Sequence, residues 1–324
     1  MAKLMNFIDK HTIEKHFDFN ELISRLRLAF ADSSVEVPMR HHHDYPNPPE
    51  SEDSTLLLMP AWDPGKDLGV KIVTVSPNNG QFQMPSIQGL YLLFDAHKGD
   101  CKSLLDAKSL TAFRTAATSA LASSFLSRPD SHSLFMIGTG ALSSMLIKAH
   151  ASVRPIKEVF IWGRSVEKAQ AVKDQLCDQP FTVTVVDSIE AGIQQADIIS
   201  CATLSKTALI QGEWLKPGQH LDMVGAYKPD MREADDKCLL RSSIFVDHYA
   251  GALKETGDIV IPIRQGVMQR GDINADLFEL CKDQHPGRQT AEEITFFKSV
   301  GHALEDLVAA TLIAERVATD QLQE

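Results

Sequence analysis

Hydrophobic and polar residues follow two different periods along the first part of the chain. Over residues 17–31 the apolar side chains recur at the spacing of one helix face, with Asn20 as a candidate cap. A strand pattern then dominates, and it covers Leu56 to Trp62, Gly69 to Ser76 and Ile87 to Asp95, each bounded by Gly, Pro, Asn or Asp. Because these three segments follow one another closely, we expect them to form an antiparallel meander.

After one predicted helix, strand and helical patterns alternate from residue 133 to about residue 250. Residues 110–127 predict a helix. The strands predicted after it are 133–138, 158–162, 181–186, 197–201, 219–224 and 244–247, and the helices between them are 166–178, 188–195 and 231–241. This alternation predicts an α/β fold whose main part is a doubly wound parallel sheet of the Rossmann type.

The last part of the chain predicts a return to the first domain. Ile294 to Phe297 has a strand pattern, which we expect to rejoin the N-terminal sheet, and Val300 to Val317 has the pattern of an amphipathic helix. The expected organisation is therefore an α+β domain made from both chain ends, residues 1–118 and 300–324, with the doubly wound domain, residues 119–299, inserted between them.

A glycine-containing turn follows the first strand of the doubly wound domain. The strand ends in Gly138-Thr139-Gly140-Ala141-Leu142, and the helix after it begins with small and apolar residues. In a dinucleotide fingerprint the first glycine makes the tight turn and the second lets the backbone approach the pyrophosphate. Ser143 occupies the third, small position. The helix N-terminus would then bind the pyrophosphate through its N–H groups and its positive dipole end.

The next strand carries the residues that bear on cofactor choice. A dinucleotide site often has an Asp or Glu there, which binds the adenine ribose and repels a 2′-phosphate. This chain has Trp162-Gly163-Arg164-Ser165 instead. Arg164 and Ser165 can both bind a 2′-phosphate, so we expect NADPH to be preferred, with NADH as a possible substitute. The alternative is that Arg164 is a surface residue at the start of a helix.

Composition and charge exclude several classes of function. The chain has 324 residues, 44% hydrophobic and 23% charged, and a net charge of −11, which argues against nucleic acid and anionic membranes as partners. No apolar stretch approaches the roughly 20 residues of a membrane span. Five scattered cysteines fit reduced thiols, so we expect a cytoplasmic enzyme.

Three consecutive histidines, His41-His42-His43, would alternate in direction along an extended chain, so they cannot all bind one metal ion. We interpret them as a solvated loop rather than a metal site.

Two cationic residues lie in apolar surroundings. Lys71 interrupts a predicted strand between Val70 and Ile72, which places it either at a solvated edge or facing a polar pocket. Arg114 follows Phe113 in the first turns of a predicted helix, where an arginine usually meets a specific anion.

With these residues the chain resembles the ornithine cyclodeaminase/μ-crystallin family, which includes archaeal alanine dehydrogenase and cyclic ketimine reductases. The matching segments are Pro38-x-Arg40, Gly69-Val70-Lys71, Leu110-Thr111-Ala112-Phe113-Arg114-Thr115-Ala116-Ala117, Gly138-Thr139-Gly140-Ala141, and Phe297-Lys298-Ser299-Val300-Gly301 followed by Leu304-Glu305-Asp306. The resemblance implies an NAD(P)-dependent homodimer that acts on an amino acid or imino acid. The domain made from both chain ends would provide the dimer contacts and much of the substrate site.

The resemblance also assigns site residues. Arg40, Lys71 and Arg114 would hold the substrate carboxylate, and Val300 would line the substrate site. Besides the turn at 138–142, Arg164 and Ser165, the expected cofactor-binding residues are Ser86, Thr203, Met223, Val224, Gly225 and Ser299. Of these, Thr203 and the run from Met223 to Gly225 also end strands at the carboxyl edge of the predicted sheet.

The departures from the family's cyclodeaminase pattern bear on the substrate. Tyr227 occupies the position of the cyclodeaminase Asp, Met231 that of its Lys, and Leu57 that of its Glu. Without these carboxylates an ornithine ammonium has no evident partner. We therefore expect NADPH-dependent reduction of Δ1-pyrroline-2-carboxylate to L-proline, with Δ1-piperideine-2-carboxylate, which gives L-pipecolate, as a further candidate. Ornithine cyclodeaminase or alanine dehydrogenase activity and a μ-crystallin-like binding protein without turnover are the alternatives.

The proton for the imine nitrogen has several candidate sources. Lys71, Arg114 and Tyr227 are the candidate catalytic residues, and Tyr227 is the candidate proton donor beside solvent and His302. Tyr227 could equally be a wall of the pocket, and His302 could cap the last helix.

Overall fold

A computed structural model describes residues 7–32, 34–47 and 53–322 of the chain. The chain divides into two units. The first comprises the described residues up to Arg114 and from His302 onward, and the second is Thr115–Gly301. These boundaries compare with 118/119 and 299/300 expected from the sequence.

The helices and strands are numbered in chain order. The strands are β1 Phe7–Ile8, β2 His41–Tyr45, β3 Ser54–Asp63, β4 Asp67–Val75, β5 Ile87–Asp95, β6 Cys101–Asp106, β7 Ser133–Ile137, β8 Glu158–Trp162, β9 Thr182–Val185, β10 Ile198–Cys201, β11 His220–Met223, β12 Ser243–Val246, β13 Ile273–Asp276 and β14 Thr295–Lys298. The α-helices are α1 Lys10–His16, α2 Phe19–Ala31, α3 Ala107–Leu126, α4 Ser143–Val153, α5 Val166–Asp174, α6 Ile189–Ile193, α7 Asp236–Leu240, α8 Tyr249–Glu255, α9 Gly257–Arg264, α10 Leu277–Cys281 and α11 Ala303–Gln321.

The first unit is built on a six-stranded sheet in the order β1-β6-β5-β4-β3-β2. The strands from β2 to β6 are antiparallel, which confirms the predicted meander, and β1 adds in parallel to β6. Helix α11 packs on β3 and β4. Met59, Lys71 and Tyr91 pair across three strands and are buried on one face of this sheet. The opposite face is apolar but only half-buried.

Two expectations for the first unit are wrong in detail. His41-His42-His43 do not form a loop, because they begin strand β2, whose residues are all exposed and which pairs antiparallel with β3. The segment lies at the edge of the sheet, where polar residues are tolerated in a strand. The cap of α2 is Asp18 rather than Asn20. The Asp18 carboxylate accepts a hydrogen bond from the Glu21 N–H at 2.8 Å.

The second unit is an eight-stranded parallel sheet in the order β13-β12-β14-β11-β10-β7-β8-β9. From β9 to β11 this is the Rossmann order, in which the chain direction across the sheet reverses between β7 and β10. The predicted doubly wound fold is therefore confirmed. Ligands of such sheets bind at the carboxyl ends of the strands beside that reversal, here the ends of β7 and β10.

The expectation that residues 294–297 rejoin the N-terminal sheet is wrong. The corresponding strand, β14, lies in the second unit, where it pairs in parallel with β11 and β12. All four of its residues are buried, as in a strand covered on both faces. The sequence pattern did not predict β1, α1 and β6 of the first unit or, after β12, the elements α8, α9, β13 and α10.

Within the described ranges, no helix combines the length and the apolar character that crossing a bilayer requires.

Candidate active site

Lys71 and Arg114 converge on one carboxylate in the first unit. The Nζ atom of Lys71 lies 2.7 Å from Oδ2 of Asp306, and the Nε atom of Arg114 donates to Oδ1 of the same residue at 3.0 Å. Lys71 also lies 3.5 Å from the hydroxyl of Thr111. Both cations are almost completely buried, with exposed fractions of 3% and 6%. Strand β4 supplies Lys71, α3 supplies Arg114, and the first turn of α11 supplies Asp306.

The residue next to Asp306 completes the cluster. Glu305, which is fully buried, accepts a hydrogen bond from Nη1 of Arg114 at 2.7 Å. Its other oxygen accepts from the backbone N–H of His302, the N-cap residue of α11, at 3.1 Å. His302 therefore begins the helix that carries both carboxylates. We call Lys71, Arg114, Glu305 and Asp306 the first-unit charge cluster.

The charged groups in this cluster shift one another's pKa values. Burial, together with the nearby charges of Arg114 and Arg40, lowers the pKa of Lys71 to about 8, although Asp306 opposes the shift. Burial would raise the pKa of Asp306, but Lys71 and Arg114 outweigh it and the pKa is lowered. The effect on Lys71 shows that Arg40 acts on the same cluster. Three cations and two carboxylates leave one excess positive charge, which suits an anionic ligand.

An anion was expected beside Arg114 from the sequence, but its identity was not. In the structure, Asp306 and Glu305 are anions of the protein itself, and they allow Lys71 and Arg114 to be buried. Two adjacent acids in the first turn of an otherwise apolar helix were the signal that could have revealed them.

In the second unit, the turn after β7 has the geometry that a phosphate site needs. Gly138 has φ +120°, and a Cβ atom there would lie 2.6 Å from the carbonyl oxygen of Ala202, so only glycine fits. The hydroxyl of Ser143 donates to the Gly138 carbonyl at 3.0 Å, which fixes the start of α4. Gly140 is exposed, and a Cβ there would meet nothing within 4 Å, which leaves space for a ligand. These residues fit a dinucleotide pyrophosphate.

The predicted cofactor-specificity residues lie beyond β8. Arg164 is exposed, and Ser165 is the N-cap of α5. The hydroxyl of Ser165 accepts from the Lys168 N–H at 3.2 Å and donates to Glu167 at 2.6 Å. Ser165 is thus already used in capping, and Arg164 is the more available of the two for a phosphate.

A buried carboxylate joins two loops at the carboxyl edge of the sheet. The Oε1 atom of Glu233 accepts from the N–H and the hydroxyl of Thr203, at 2.7 and 2.8 Å. Its Oε2 atom accepts from the N–H groups of Gly225 and Ala226, at 2.7 and 3.2 Å. Of the expected cofactor residues in these loops, Thr203 and Gly225 are therefore held by Glu233. Met223 and Val224, which precede Gly225, are buried.

Glu233 is itself part of a buried charge cluster. Asp258 accepts from the N–H groups of Glu233 and Ala234, at 2.8 and 3.2 Å. The Nζ atom of Lys298, at the end of β14, lies 3.2 Å from Asp258 Oδ2 and 4.0 Å from Glu233 Oε2. Burial raises the pKa of Glu233, with Asp258 adding to the shift and Lys298 opposing it. We call Glu233, Asp258 and Lys298 the second-unit charge cluster.

A second buried carboxylate holds the loop after β14. The Oδ2 atom of Asp247 accepts from the N–H groups of Val300 and Gly301, both at 2.6 Å, and lies 3.4 Å from the hydroxyl of Ser299. Burial opposes ionisation of Asp247, but hydrogen bonding to His248 and to these backbone groups lowers its pKa to about 2. The expected positions Ser299 and Val300 are therefore fixed by a residue that the sequence analysis did not identify.

Two other predicted residues are more exposed. Tyr227 has an exposed fraction of 36%, and the Nζ atom of Lys228 lies 5.9 Å from the centre of its ring. Ser86 is exposed in the first unit, just before β5, with its hydroxyl 3.4 Å from the carbonyl oxygen of Pro77.

With this geometry established, comparisons with known proteins identify the family. The model of the ornithine cyclodeaminase/mu-crystallin family matches residues 4–321. The chain belongs to this family. It is 37% identical to a Δ1-pyrroline-2-carboxylate reductase of Colwellia psychrerythraea over 97% of this chain and 100% of that one.

Solved structures that match nearly the full length of this chain have the same fold as it does. The Δ1-pyrroline-2-carboxylate reductase of Thermococcus litoralis, in complex with NADH and L-proline, superposes with a TM-score of 0.92 at 30% identity, covering 98% of both chains. An archaeal alanine dehydrogenase dimer with bound NAD superposes with a TM-score of 0.89 at 25% identity, covering 98% of this chain and 97% of that one.

In this member of the family, the buried acids are what the sequence analysis missed. Glu233, Asp247 and Asp258 each lie in a stretch whose local pattern is unremarkable for a loop or a helix start. Lys298 gave a clearer signal, because a lysine directly after Phe296 and Phe297 at the end of an apolar strand requires a buried partner.

Proposed function

We propose that this protein reduces Δ1-pyrroline-2-carboxylate to L-proline and that it prefers NADPH to NADH as the hydride donor. Δ1-piperideine-2-carboxylate, which would give L-pipecolate, is the further candidate substrate. The family and the similar reductases make the chain a dinucleotide-dependent oxidoreductase acting on C–N bonds. The observation that carries the proposal is the burial of two oriented cations, Lys71 and Arg114, in the first-unit charge cluster.

The first-unit charge cluster would bind the substrate carboxylate. The guanidinium of Arg114 is fixed in direction by Asp306 and Glu305, and the ammonium of Lys71 is fixed by Asp306. Donors that are already oriented lose little freedom when an anion binds, so the carboxylate would be held in one orientation. Arg40 would supply the third positive charge.

An apolar sheet face would hold the ring of the substrate. Met59 pairs with Lys71 across β3 and β4, and Leu57 and Val73 form the adjacent pair on the same face. Leu57 occupies the position of the cyclodeaminase Glu, so the Leu57–Val73 pair adds no carboxylate beside Lys71. A small apolar ring with one carboxylate suits such surroundings better than a diamino acid does.

The second unit would hold the dinucleotide. Gly138 to Leu142 and the start of α4 would bind its pyrophosphate, and Arg164 would bind a 2′-phosphate. When bound, the reduced nicotinamide supplies the hydride. The loops at Thr203, Gly225 and Ser299 would support the nicotinamide half.

The cyclodeaminase alternative is disfavoured by the surroundings of Tyr227. A second ammonium group on the substrate needs a carboxylate, but this position carries a phenol with the ammonium of Lys228 beside its ring. A like charge there would repel the ornithine side chain. A μ-crystallin-like binding protein without turnover would not need both the first-unit charge cluster and an open phosphate turn at Gly138 to Leu142, so the presence of both disfavours this alternative.

The decisive assay measures loss of NADPH absorbance with Δ1-pyrroline-2-carboxylate, in parallel with NADH and with an ammonia assay on ornithine plus NAD. We expect rapid NADPH oxidation and no ammonia. Ammonia release without imine reduction would overturn the proposal.

For cofactor choice, Arg164→Ser should lower kcat/KM for NADPH by about tenfold and leave kcat/KM for NADH unchanged. A matched control is Lys168→Ser, since Lys168 is an exposed cation on the same helix start.

We further propose that the half-buried face of the first sheet binds a second copy of the chain. Leu58, Ile72 and Leu90 pair across β3, β4 and β5 on this face, and Leu90 is 40% exposed. The similar archaeal alanine dehydrogenase is a dimer. Light scattering should show a dimer that Leu90→Glu dissociates, whereas Leu28→Glu, at an exposed leucine on α2, should leave it intact. A wild-type monomer would contradict the proposal.

A further inference from the structure

The carboxylate of Glu233 connects the ends of two neighbouring strands. Its Oε1 atom accepts three hydrogen bonds, from the N–H and hydroxyl of Thr203 and, at 3.1 Å, from the thiol of Cys201 at the end of β10. Its Oε2 atom accepts two, from the N–H groups of Gly225 and Ala226 after β11. An ionised carboxylate can accept in this way on both oxygens, whereas an amide would turn N–H donors toward one of the two loops. The chemistry of the site therefore requires Glu at this position.

The two loops are in direct backbone contact. A Cβ atom on Gly225 would lie 2.0 Å from the carbonyl oxygen and 2.2 Å from the nitrogen of Thr203. With such close packing, a shift of either loop moves the other. The carboxylate of Glu233 bridges both loops at this contact, so it fixes their separation.

Glu233 is held from its other side as well. Asp258 accepts from the Glu233 N–H, and Lys298 neutralises part of the negative charge of the pair. All three residues are fully buried. The carboxylate therefore has one orientation, which it imposes on the loops. Just beyond Thr203, Leu204 is 73% exposed.

We propose that Glu233 is a positioning residue for the dinucleotide. It holds the Thr203–Leu204 and Gly225–Ala226 backbones in the arrangement that receives the half of the cofactor lying on the β10–β11 side of the sheet. It contacts neither substrate nor cofactor and acts through the two loops. This inference rests on the proposed function, because it requires that a dinucleotide binds at this edge.

The test compares two carboxylates with matched structural roles. Asp197 bridges strand starts at the opposite edge, where it accepts from the His132 N–H at 2.9 Å, the Ser133 hydroxyl at 2.9 Å and Arg128 at 2.6 Å. Glu233→Gln and Asp197→Asn therefore both remove one charge from a bridging carboxylate. Dissociation constants for NADPH and NADH are measured by calorimetry, and melting temperatures are measured on the same samples.

We expect Glu233→Gln to weaken dinucleotide binding about tenfold and to raise the KM for dinucleotide by a similar factor, with the KM for the imine unchanged. Asp197→Asn should lower the melting temperature without changing either constant. Unchanged binding in Glu233→Gln, or equal weakening in both variants, would overturn the inference. Absence of dinucleotide binding by the wild-type protein would instead overturn the proposed function.

A second variant covers the case in which Glu233→Gln does not fold. Thr203→Val removes one of the five hydrogen bonds that the Glu233 carboxylate accepts and keeps the backbone contact. It should weaken dinucleotide binding about threefold, and unchanged binding would contradict the inference. Where Glu233→Gln does fold, adding Thr203→Val to it should have little further effect, because both changes act through one carboxylate.

Discussion

The two units both bury charged side chains, but they use them differently. In the first-unit charge cluster, Lys71 and Arg114 pair with Glu305 and Asp306, and Arg40 adds a further positive charge. In the second-unit charge cluster, Glu233 and Asp258 outnumber Lys298, and backbone N–H groups satisfy most of the carboxylate oxygens. With Arg40 counted, three cations face two carboxylates in the first unit, whereas one cation faces two carboxylates in the second-unit charge cluster.

This difference in charge suggests different roles: the first cluster suits binding of a ligand anion, and the second suits the positioning of loops. Side-chain cations with an excess of charge can attract and orient a ligand anion through charge-assisted hydrogen bonds. Carboxylates that accept from backbone N–H groups instead define where loops lie. The same kind of residue, a buried acid, therefore keeps cations in place in one unit and shapes the chain in the other.

The largest effect should come from removing a cation of the first cluster. Arg114→Met leaves Glu305 and Asp306 buried with Lys71 as the remaining cation. We expect the free energy of unfolding to fall by about 3–5 kcal/mol and kcat/KM for the imine to fall by at least about a hundredfold. Urea denaturation and steady-state kinetics measure the two quantities.

Lys298→Met is the matching change in the second cluster. Because Glu233 and Asp258 keep their backbone donors, the loss of stability should be smaller, about 1–3 kcal/mol. An equal or larger loss than for Arg114→Met would contradict the distinction between the clusters. Arg25→Met, which breaks a half-exposed pair with Glu21 and Glu315, should cost less than about 1 kcal/mol.

A pair of glycine variants tests whether, in the turn after β7, Gly138 is needed for folding and Gly140 for dinucleotide binding. Gly138→Ala places a Cβ at φ +120° and 2.6 Å from the Ala202 carbonyl, so it should destabilise the second unit by about 1–3 kcal/mol. Gly140→Ala meets no neighbour, so stability should be unchanged while the dissociation constant for NADPH rises about tenfold. Thermal melting and calorimetry distinguish the two outcomes.

The opposite result would be informative. If Gly140→Ala bound NADPH as tightly as the wild type, the turn would not approach the pyrophosphate. Gly271→Ala is the control within the same unit, because a Cβ there also meets nothing within 4 Å.

The pKa of Lys71 predicts a pH dependence for substrate binding. The free enzyme holds Lys71 protonated below about pH 8, and the excess positive charge is lost above that value. We therefore expect kcat/KM to fall about tenfold per pH unit above pH 8. A bound carboxylate stabilises the protonated ammonium, so the corresponding limb of kcat should lie at higher pH.

The same group has an opposite effect on folding. Since burial lowers the pKa of Lys71 below the unfolded value of 10.5, the unfolded state binds more protons between about pH 8 and 10.5. The contribution of Lys71 to stability should therefore rise with pH across this window. An arginine does not titrate in this pH range, so Lys71→Arg should remove both the fall in kcat/KM and the rise in stability. Any fall in kcat/KM with pH that persists in this variant would come from titration of the substrate imine.

The sequence predicted the fold well because its signals are local and periodic. The alternation of β7 to β11 with helices and the glycine turn at Gly138 do not depend on distant residues. The placement of β14 could not be read in this way, because a short buried strand is equally compatible with either sheet until its neighbours are known. Pairing with β11 and β12 decides it.

The site was predictable where a residue conflicts with its surroundings. Lys71 and Arg114 were recognisable as cations among apolar neighbours. Glu233 and Asp247 were not, because an acid in a loop is ordinary, and their importance depends on the backbone N–H groups that the fold brings to them. A residue that shapes loops is therefore recognisable only in the structure, whereas a buried cation among apolar neighbours can be found from the sequence.

The smallest expected effect concerns Tyr227, which belongs to neither charge cluster. Its phenol is 36% exposed and therefore accessible to solvent, which can itself supply the proton for the imine nitrogen. We expect Tyr227→Phe to change kcat by less than about threefold at neutral pH, with a small rise in the KM for the imine as a hydroxyl contact is lost. Kinetics across a pH series measure both constants. A fall of about a hundredfold in kcat, with the slope of the pH profile altered, would make Tyr227 the proton donor.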